Sequence, residues 1–304
     1  MYSYYLAVLL TVSGEKVVKR DILNPRPIVG VLTQDCYESY ECEEGKGYVA
    51  SSYIKYLEAA GAQVYIVPLL TSDEDLKKLM TEQLSGILLP GGNNFKETTD
   101  YGRMTKLVWD ITTNGTSSIP VWATCLGMEA LATYAKGSRD VGDVLTRDIE
   151  GLHDIGLSMV LYNKGRIFKH QPKNQARKMK TEGLTYQSHS WSLLPENLDD
   201  QFTLLATSIA PGGEEFVSMY EHKEYPIWGA QWHPEKAAFE WGKGEKGYFI
   251  HNYDAIELAN YLVQYFVQET RKHGNRWSLP LDLLSYNFKT KVLINESFSD
   301  IYVF

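Results

Sequence analysis

Pro120-Val121-Trp122-Ala123-Thr124-Cys125-Leu126-Gly127-Met128-Glu129 decides the fold. A β-prone apolar run stops at a cysteine, and a helix-forming segment opens two residues later. This reads as a strand, a sharp turn and a helix, with a thiol at the apex. In that position the thiol sits at the positive end of the helix dipole, which favours the thiolate, the form that attacks carbonyl carbon. A structural cysteine is the commoner fate of a lone thiol, but the strand–Cys–x–Gly–helix setting marks Cys125 as a nucleophile.

The flanking sequence extends the pattern. Pro27–Leu32, Ala62–Pro68, Gly86–Pro90 and Ile119–Thr124 read as buried strands. Helical spacing over Tyr48–Ala60 ends at Gly61, Ser72 caps a second helix, and Thr98–Thr113 and Gly127–Tyr134 supply two more. Strands alternating with helices predict an α/β fold with a doubly wound, mostly parallel central sheet flanked by helices. Active sites of such sheets lie at the carboxyl ends of the strands, where both Cys125 and Gly91-Gly92 fall. Beyond about residue 145 the pattern changes to strands at 156–162, 183–188, 202–208, 215–220 and 227–231, then a long amphipathic helix over Asn252–Lys272. The segment from Gly274 to Phe304 is irregular and aromatic-rich. Residues 21–304 are expected to form one domain, and residues 1–20 to be a leader.

The strand ending near Gln231 runs into Trp232-His233-Pro234-Glu235-Lys236. An i, i+2 spacing on an extended segment puts His233 and Glu235 on one side. There the carboxylate can accept the ring N–H, fix the tautomer and stabilise the imidazolium. Cys125, His233 and Glu235 thus read as nucleophile, base and orienter. The backbone N–H of Leu126 points to where an oxyanion would form, and Gly92 is the expected second donor.

Composition narrows the chemistry. The 304 residues carry a net charge of −8 with 44% hydrophobic content, and no Lys/Arg run suggests a nucleic-acid surface. The basic residues of 164–180 are spread out and read as a solvated face. There is no CxxC or HExxH, no GxGxxG and no Walker A loop, so no metal and no cofactor is expected. Tyr4–Gly14 is a short apolar run too short to span a bilayer and similar to a signal-peptide core. Two sequons, at Asn114 and Asn295, fit secretory passage. Of the three cysteines, Cys36 and Cys42 are spaced for a local disulfide or for two free thiols, which leaves Cys125 over.

The Cys-Leu-Gly-x-Glu elbow, the Pro-Gly-Gly turn and Gln-Trp-His-Pro-Glu-Lys resemble the class I glutamine amidotransferase superfamily. Residues 47–62, Ser188-His189-Ser190-Trp191-Ser192-Leu193 and Glu235–Trp241 resemble, more narrowly, the γ-glutamyl hydrolases, and the likeness runs from about Pro27 to about Lys272. The resemblance implies a Cys125–His233–Glu235 triad, substrate-side positions at His189, Tyr48 and Glu129, and cysteine-dependent cleavage of γ-glutamyl bonds in folate poly-γ-glutamates. It also implies a secreted, lysosomal or vacuolar location, a small-molecule substrate with neither nucleic-acid nor membrane partner, and room for a homodimer. On the residues alone, the alternatives are an exposed loop histidine at His189, a helix-start aromatic at Tyr48 and a structural pair at Glu129. Lys236 and Arg103 are candidate cations for an anionic tail. The rival readings are a glutaminase module feeding a synthetase, a hydrolase of another γ-glutamyl amide, and a binding protein on an inactive scaffold.

Overall fold

The computed structural model describes residues 24–36, 47–92, 96, 98–161, 165–241, 243–244, 247–293 and 298–303. The leader, the Asn295 sequon, Cys42 and Lys164 lie outside the described residues. The central sheet has eight strands: β1 Ile28–Leu32, β2 Gln63–Val67, β3 Gly86–Leu89, β4 Val121–Thr124, β5 Val160–Leu161, β6 Phe202–Ile209, β7 Glu215–His222 and β8 Ile227–Ala230. Their order is β2-β1-β3-β4-β8-β7-β6-β5. The first five run parallel and the last three are joined by antiparallel pairings.

The parallel strands are short continuous apolar runs because both faces are covered. Side chains alternate across the sheet: Val29 and Val31 enter one core cluster, Ile28 and Leu32 the other. Helices α1 (Ser51–Ala59), α5 (Lys173–Thr181) and α7 (Tyr253–Thr270) pack against the first, and α2 (Asp73–Lys78), α3 (Asp100–Thr113) and α4 (Leu126–Ala135) against the second. A four-residue helix, α6 (Lys236–Phe239), follows β8. The cap expected at Ser72 is present, accepting from Asp75 N–H, and Asn252, expected as the first residue of the long helix, caps it by accepting from Ala255 N–H.

Three expectations shift. The helix expected over Tyr48–Ala60 begins only at Ser51, because Gly47–Ala50 is a strand paired on both edges, with Gln34–Asp35 and with Asp300–Val303. The strand expected over 156–162 divides: His153–Leu157 pairs with Thr185–Ser188 outside the main sheet, whereas Val160–Leu161 joins β6. The basic stretch forms α5, whose Lys173, Arg177 and Lys180 are exposed as expected. Its Lys178 is ion-paired to Asp254 at the start of α7, and the preceding Arg166 is bonded to Glu221. Cys36 is disulfide-bonded and Cys125 is a free thiol.

The segment that sequence could not place has a defined task. Asp300–Val303 pairs with Gly47–Ala50, and Ile301 is fully buried against Tyr48. Asp300 accepts from Ser51 Oγ and pairs with Lys55 Nζ at 2.9 Å, anchoring the first turn of α1. Ile301→Ala should therefore cost about 2–5 kcal/mol and lower the midpoint of thermal unfolding. Val292→Ala, at an exposed position nearby, should cost less than about 0.5 kcal/mol and leave the midpoint nearly unchanged.

Candidate active site

Four parallel strands deliver the site residues from their carboxyl ends. Cys125 directly follows β4 and caps α4 at φ 49°, ψ −110°. For a non-glycine residue this backbone costs on the order of 1–3 kcal/mol, and it lifts the side chain out of the strand direction. The strain is held by fixed neighbours: Cys125 N–H donates to Ala230 O on β8 at 2.8 Å, and Cys125 O accepts from Glu129 N–H at 2.9 Å. Gly127 lets α4 approach β3 closely, since a Cβ there would lie 2.6 Å from the Leu89 carbonyl oxygen.

His233 stands beyond β8. Its Nδ1 is 2.8 Å from Glu235 Oε1, and Glu235 is completely buried. The contact is made in a turn rather than along an extended segment. β8 ends at Ala230, Glu235 has helical backbone angles before α6, and Lys236 N–H reaches back to His233 O at 3.3 Å. His233 N–H donates to Tyr186 O at 3.1 Å, which ties the segment to the Thr185–Ser188 strand.

The Pro90-Gly91-Gly92 turn after β3 closes the constellation. A Cβ on Gly91 would lie 2.7 Å from His233 Cε1, 3.0 Å from Tyr53 Oη and 3.1 Å from Cys125 Cβ. Gly91 is thus packed against both nucleophile and base, and Gly92, the oxyanion donor expected from sequence, directly follows it. The Gly91 N–H is already engaged, donating to Tyr53 Oη at 2.8 Å. Its carbonyl accepts from Gln34 Nε2. A trans peptide carries its N–H opposite its carbonyl, so this bond directs the Gly92 N–H away from Gln34. At the elbow, the Leu126 N–H favours the ionised form of the Cys125 sulfur.

The electrostatics differ from the helix-dipole expectation. Burial pushes the Cys125 thiol well above its ordinary range, and nearby Glu129 pushes it further. The Leu126 N–H and the Lys236 cation oppose this without reversing it. The resting group is therefore a thiol. Glu129 is itself raised to about 7 by burial, although a hydrogen bond from Gln231 Nε2 to its Oε1 at 2.8 Å works against the shift. The same Gln231 amide nitrogen is 4.0 Å from Cys125 Sγ.

The remaining expected positions are distributed unevenly. Glu129 lies beside the nucleophile. His189 is buried rather than exposed: Nδ1 is 2.8 Å from Trp191 O, Nε2 is 3.0 Å from Gln187 Oε1, and burial drives its pKa down to about 3. As a neutral ring it braces its own turn, between Gln187 and Ser192. Tyr48 packs with Ile301, Cys36, Leu293, Phe298 and Val303. Lys236 is buried, with its ammonium over the rings of Phe298, Phe249 and Tyr186 at 4.7, 4.9 and 5.4 Å. Arg103 is committed to Asp73 and to Thr71 O. Gln34, Tyr53 and Gln231 were not singled out as site residues from sequence, although Tyr53 and Gln231 lie within the segments that carry the family resemblance. Only the sheet's topology brings them in. Among the described residues no group of His, Cys, Asp and Glu is arranged to hold a metal ion, and no helix is long and apolar enough to cross a membrane.

A parallel sheet presenting a strained cysteine elbow opposite a His–Glu pair defines a class of cysteine-dependent amide-processing enzymes. Residues 45–244 match the family described as Glutamine amidotransferase class-I. The chain is 34% identical to the gamma-glutamyl hydrolase of Bos taurus, spanning 92% of this chain and 90% of that one. It is 33% identical to the Homo sapiens gamma-glutamyl hydrolase, with the same coverage. To gamma-glutamyl hydrolase B of Dictyostelium discoideum it is 31% identical, over 100% of this chain and 89% of the relative. The chain belongs to the class I glutamine amidotransferases and, among them, to the gamma-glutamyl hydrolases.

The Glu129 environment has a measurable signature. In the fold this carboxyl keeps its proton up to about pH 7, whereas unfolded it releases it near 4.5. The native state therefore holds the extra proton across that window, so stability falls as pH rises through it. Glu129→Gln should remove this contribution, of the order of a few kcal/mol. Relative to the variant, the wild type should lose thermal stability between about pH 5 and pH 7. Parallel stability curves would show that the carboxyl is ionised in the fold.

Proposed function

We propose that this protein hydrolyses γ-glutamyl amide bonds through a thioester on Cys125, with folate poly-γ-glutamates as the substrate class. The observation that carries the reading is the Cys125 elbow meeting the buried His233–Glu235 pair across the Gly91 turn, in a chain of this family. As substrate binds, His233 Nε2 takes the thiol proton and the thiolate sulfur attacks the γ-carbonyl carbon. The carbonyl electron pair moves to oxygen, which the Leu126 and Gly92 N–H groups receive. Donors of this kind typically lower the barrier by roughly 3 kcal/mol each. Collapse breaks the C–N bond as His233 returns its proton to the leaving amine. Water, deprotonated by His233, then attacks the thioester carbonyl, releasing the γ-glutamyl carboxylate and restoring the thiol.

The thiol's high pKa suits this order of events. A thiol that ionises only by handing its proton to a positioned base stays protected until a carbonyl is in place. Location in an oxidising compartment of the secretory pathway is proposed alongside, supported by the disulfide at Cys36 and the exposed Asn114 sequon.

Purified protein offered pteroyl-tri-γ-glutamate should release glutamate or di-γ-glutamate and leave glutamine untouched. Cys125→Ala should be inactive, and Glu235→Gln should lose about 10²–10⁴-fold in kcat. Glutamine turnover with the folate substrate ignored would move the protein to the glutaminase reading. Activity surviving in Cys125→Ala would remove the thioester mechanism.

A further inference from the structure

Tyr53 lies on α1, within a segment whose spacing announces nothing beyond a buried helix face. Its phenol is almost wholly buried and sits where the three parts of the site converge. Its Oη accepts the Gly91 N–H at 2.8 Å and lies 3.3 Å from His233 Nδ1, the nitrogen paired with Glu235 Oε1 at 2.8 Å. We propose that Tyr53 is a positioning residue for the hydrolysis: its phenol oxygen clamps the Gly91-Gly92 turn to the His233 imidazole, fixing oxyanion donor and base at one spacing.

The need for a clamp follows from the turn itself. Gly91 has no side chain to lock it, and it cannot acquire one, because a Cβ would strike His233 and Cys125. Its conformation must be imposed through its polar backbone atoms. Tyr53 takes the N–H and Gln34 takes the carbonyl, so the peptide planes on both sides of Gly91 are pinned. The second of these planes carries the Gly92 N–H. On the other side of the phenol, Nδ1–H directed at Glu235 leaves Nε2 free to accept the thiol proton. Tyr53 Oη stands beside that N–H as a second acceptor, so turning the ring would forfeit both contacts. Burial raises the phenol's pKa well above its ordinary value, and Glu235 and Cys125 add to the shift, so the group stays neutral. A neutral phenol can hold both partners without adding a charge beside the thiolate.

Tyr56 provides a matched comparison. It is on the same helix, is equally buried, and its Oη donates to Ala259 O on α7 at 3.0 Å, outside the constellation. Tyr53→Phe and Tyr56→Phe each delete one buried phenol hydroxyl and the hydrogen bond it makes. They should lower the thermal midpoint alike and separate in chemistry. The inference rests on the γ-glutamyl hydrolase reading, so two readouts are needed: steady-state hydrolysis of pteroyl-di-γ-glutamate, and alkylation of Cys125 by iodoacetamide, which requires no substrate.

Tyr53→Phe should lose about 10–100-fold in kcat, the scale of a misplaced catalytic group. Its KM should stay within about twofold, and its alkylation should slow several-fold. Tyr56→Phe should match the wild type in all three. Wild-type kcat and alkylation in Tyr53→Phe would overturn the inference, as would an equal loss in both variants. A wild type that leaves the folate substrate intact while its alkylation still depends on Tyr53 would overturn the substrate reading and keep the clamp.

Discussion

The site depends on one backbone hydrogen bond, from Cys125 N–H to the Ala230 carbonyl at 2.8 Å. It extends the parallel ladder of β4 and β8 one rung beyond the Thr124–Ala230 register. The same rung therefore starts the elbow on one strand and releases the His233 segment on the other. Strand register is unforgiving, since each residue advances about 3.3 Å and a slip of one reverses the faces. The core enforces it: Trp122 and Trp228, partners in register, are both buried in the same cluster, and Gly229 leaves room for Tyr220 and Met128. Apolar packing along two strands thereby sets the spacing of polar chemistry at their ends.

Burial then decides the electrostatics. A helix N-terminus typically favours an adjacent anion by about 0.3–1 kcal/mol, less than one pKa unit, which is about 1.4 kcal/mol. Desolvation of a fully buried group moves a pKa by up to several units. At Cys125 the larger effect wins, and the thiol is pushed up rather than down. Glu129 and His189 obey the same rule in opposite senses, each driven toward its neutral form. Burial thus favours the neutral form of all three groups. The Leu126 N–H is the fixed dipole that opposes the shift at the sulfur.

Much of this was legible in the residues because it is local. Strands β1 to β4, the cap at Ser72 and the Cys125 elbow each rest on a few consecutive residues. The His233–Glu235 pair was also legible, although a turn, not an extended segment, closes it. What sequence misassigned depended on distant partners. Gly47–Ala50 carries no strand signal of its own and is made a strand by Asp300–Val303 and Gln34–Asp35. Because it is a strand, Tyr48 turns toward Ile301, and it is Tyr53, in the helix that follows, that reaches His233. Gln34 was invisible for the same reason: its role exists only once β1 and β3 lie side by side.

The pairing of Gly47–Ala50 with Asp300–Val303 also sets a timetable for biosynthesis. Helix α1 is translated early, yet its first turn is anchored by Asp300, among the last of the described residues to leave the ribosome. The parallel core can assemble as its strands emerge, since β1 to β4 are complete by residue 124. The helix bearing Tyr53 acquires its outer support only when residue 303 is available. A nascent chain would accordingly carry the cysteine, the histidine and the sheet between them for some time before the last support of the site arrives. During that interval the first turn of α1 would lack its Asp300 anchor.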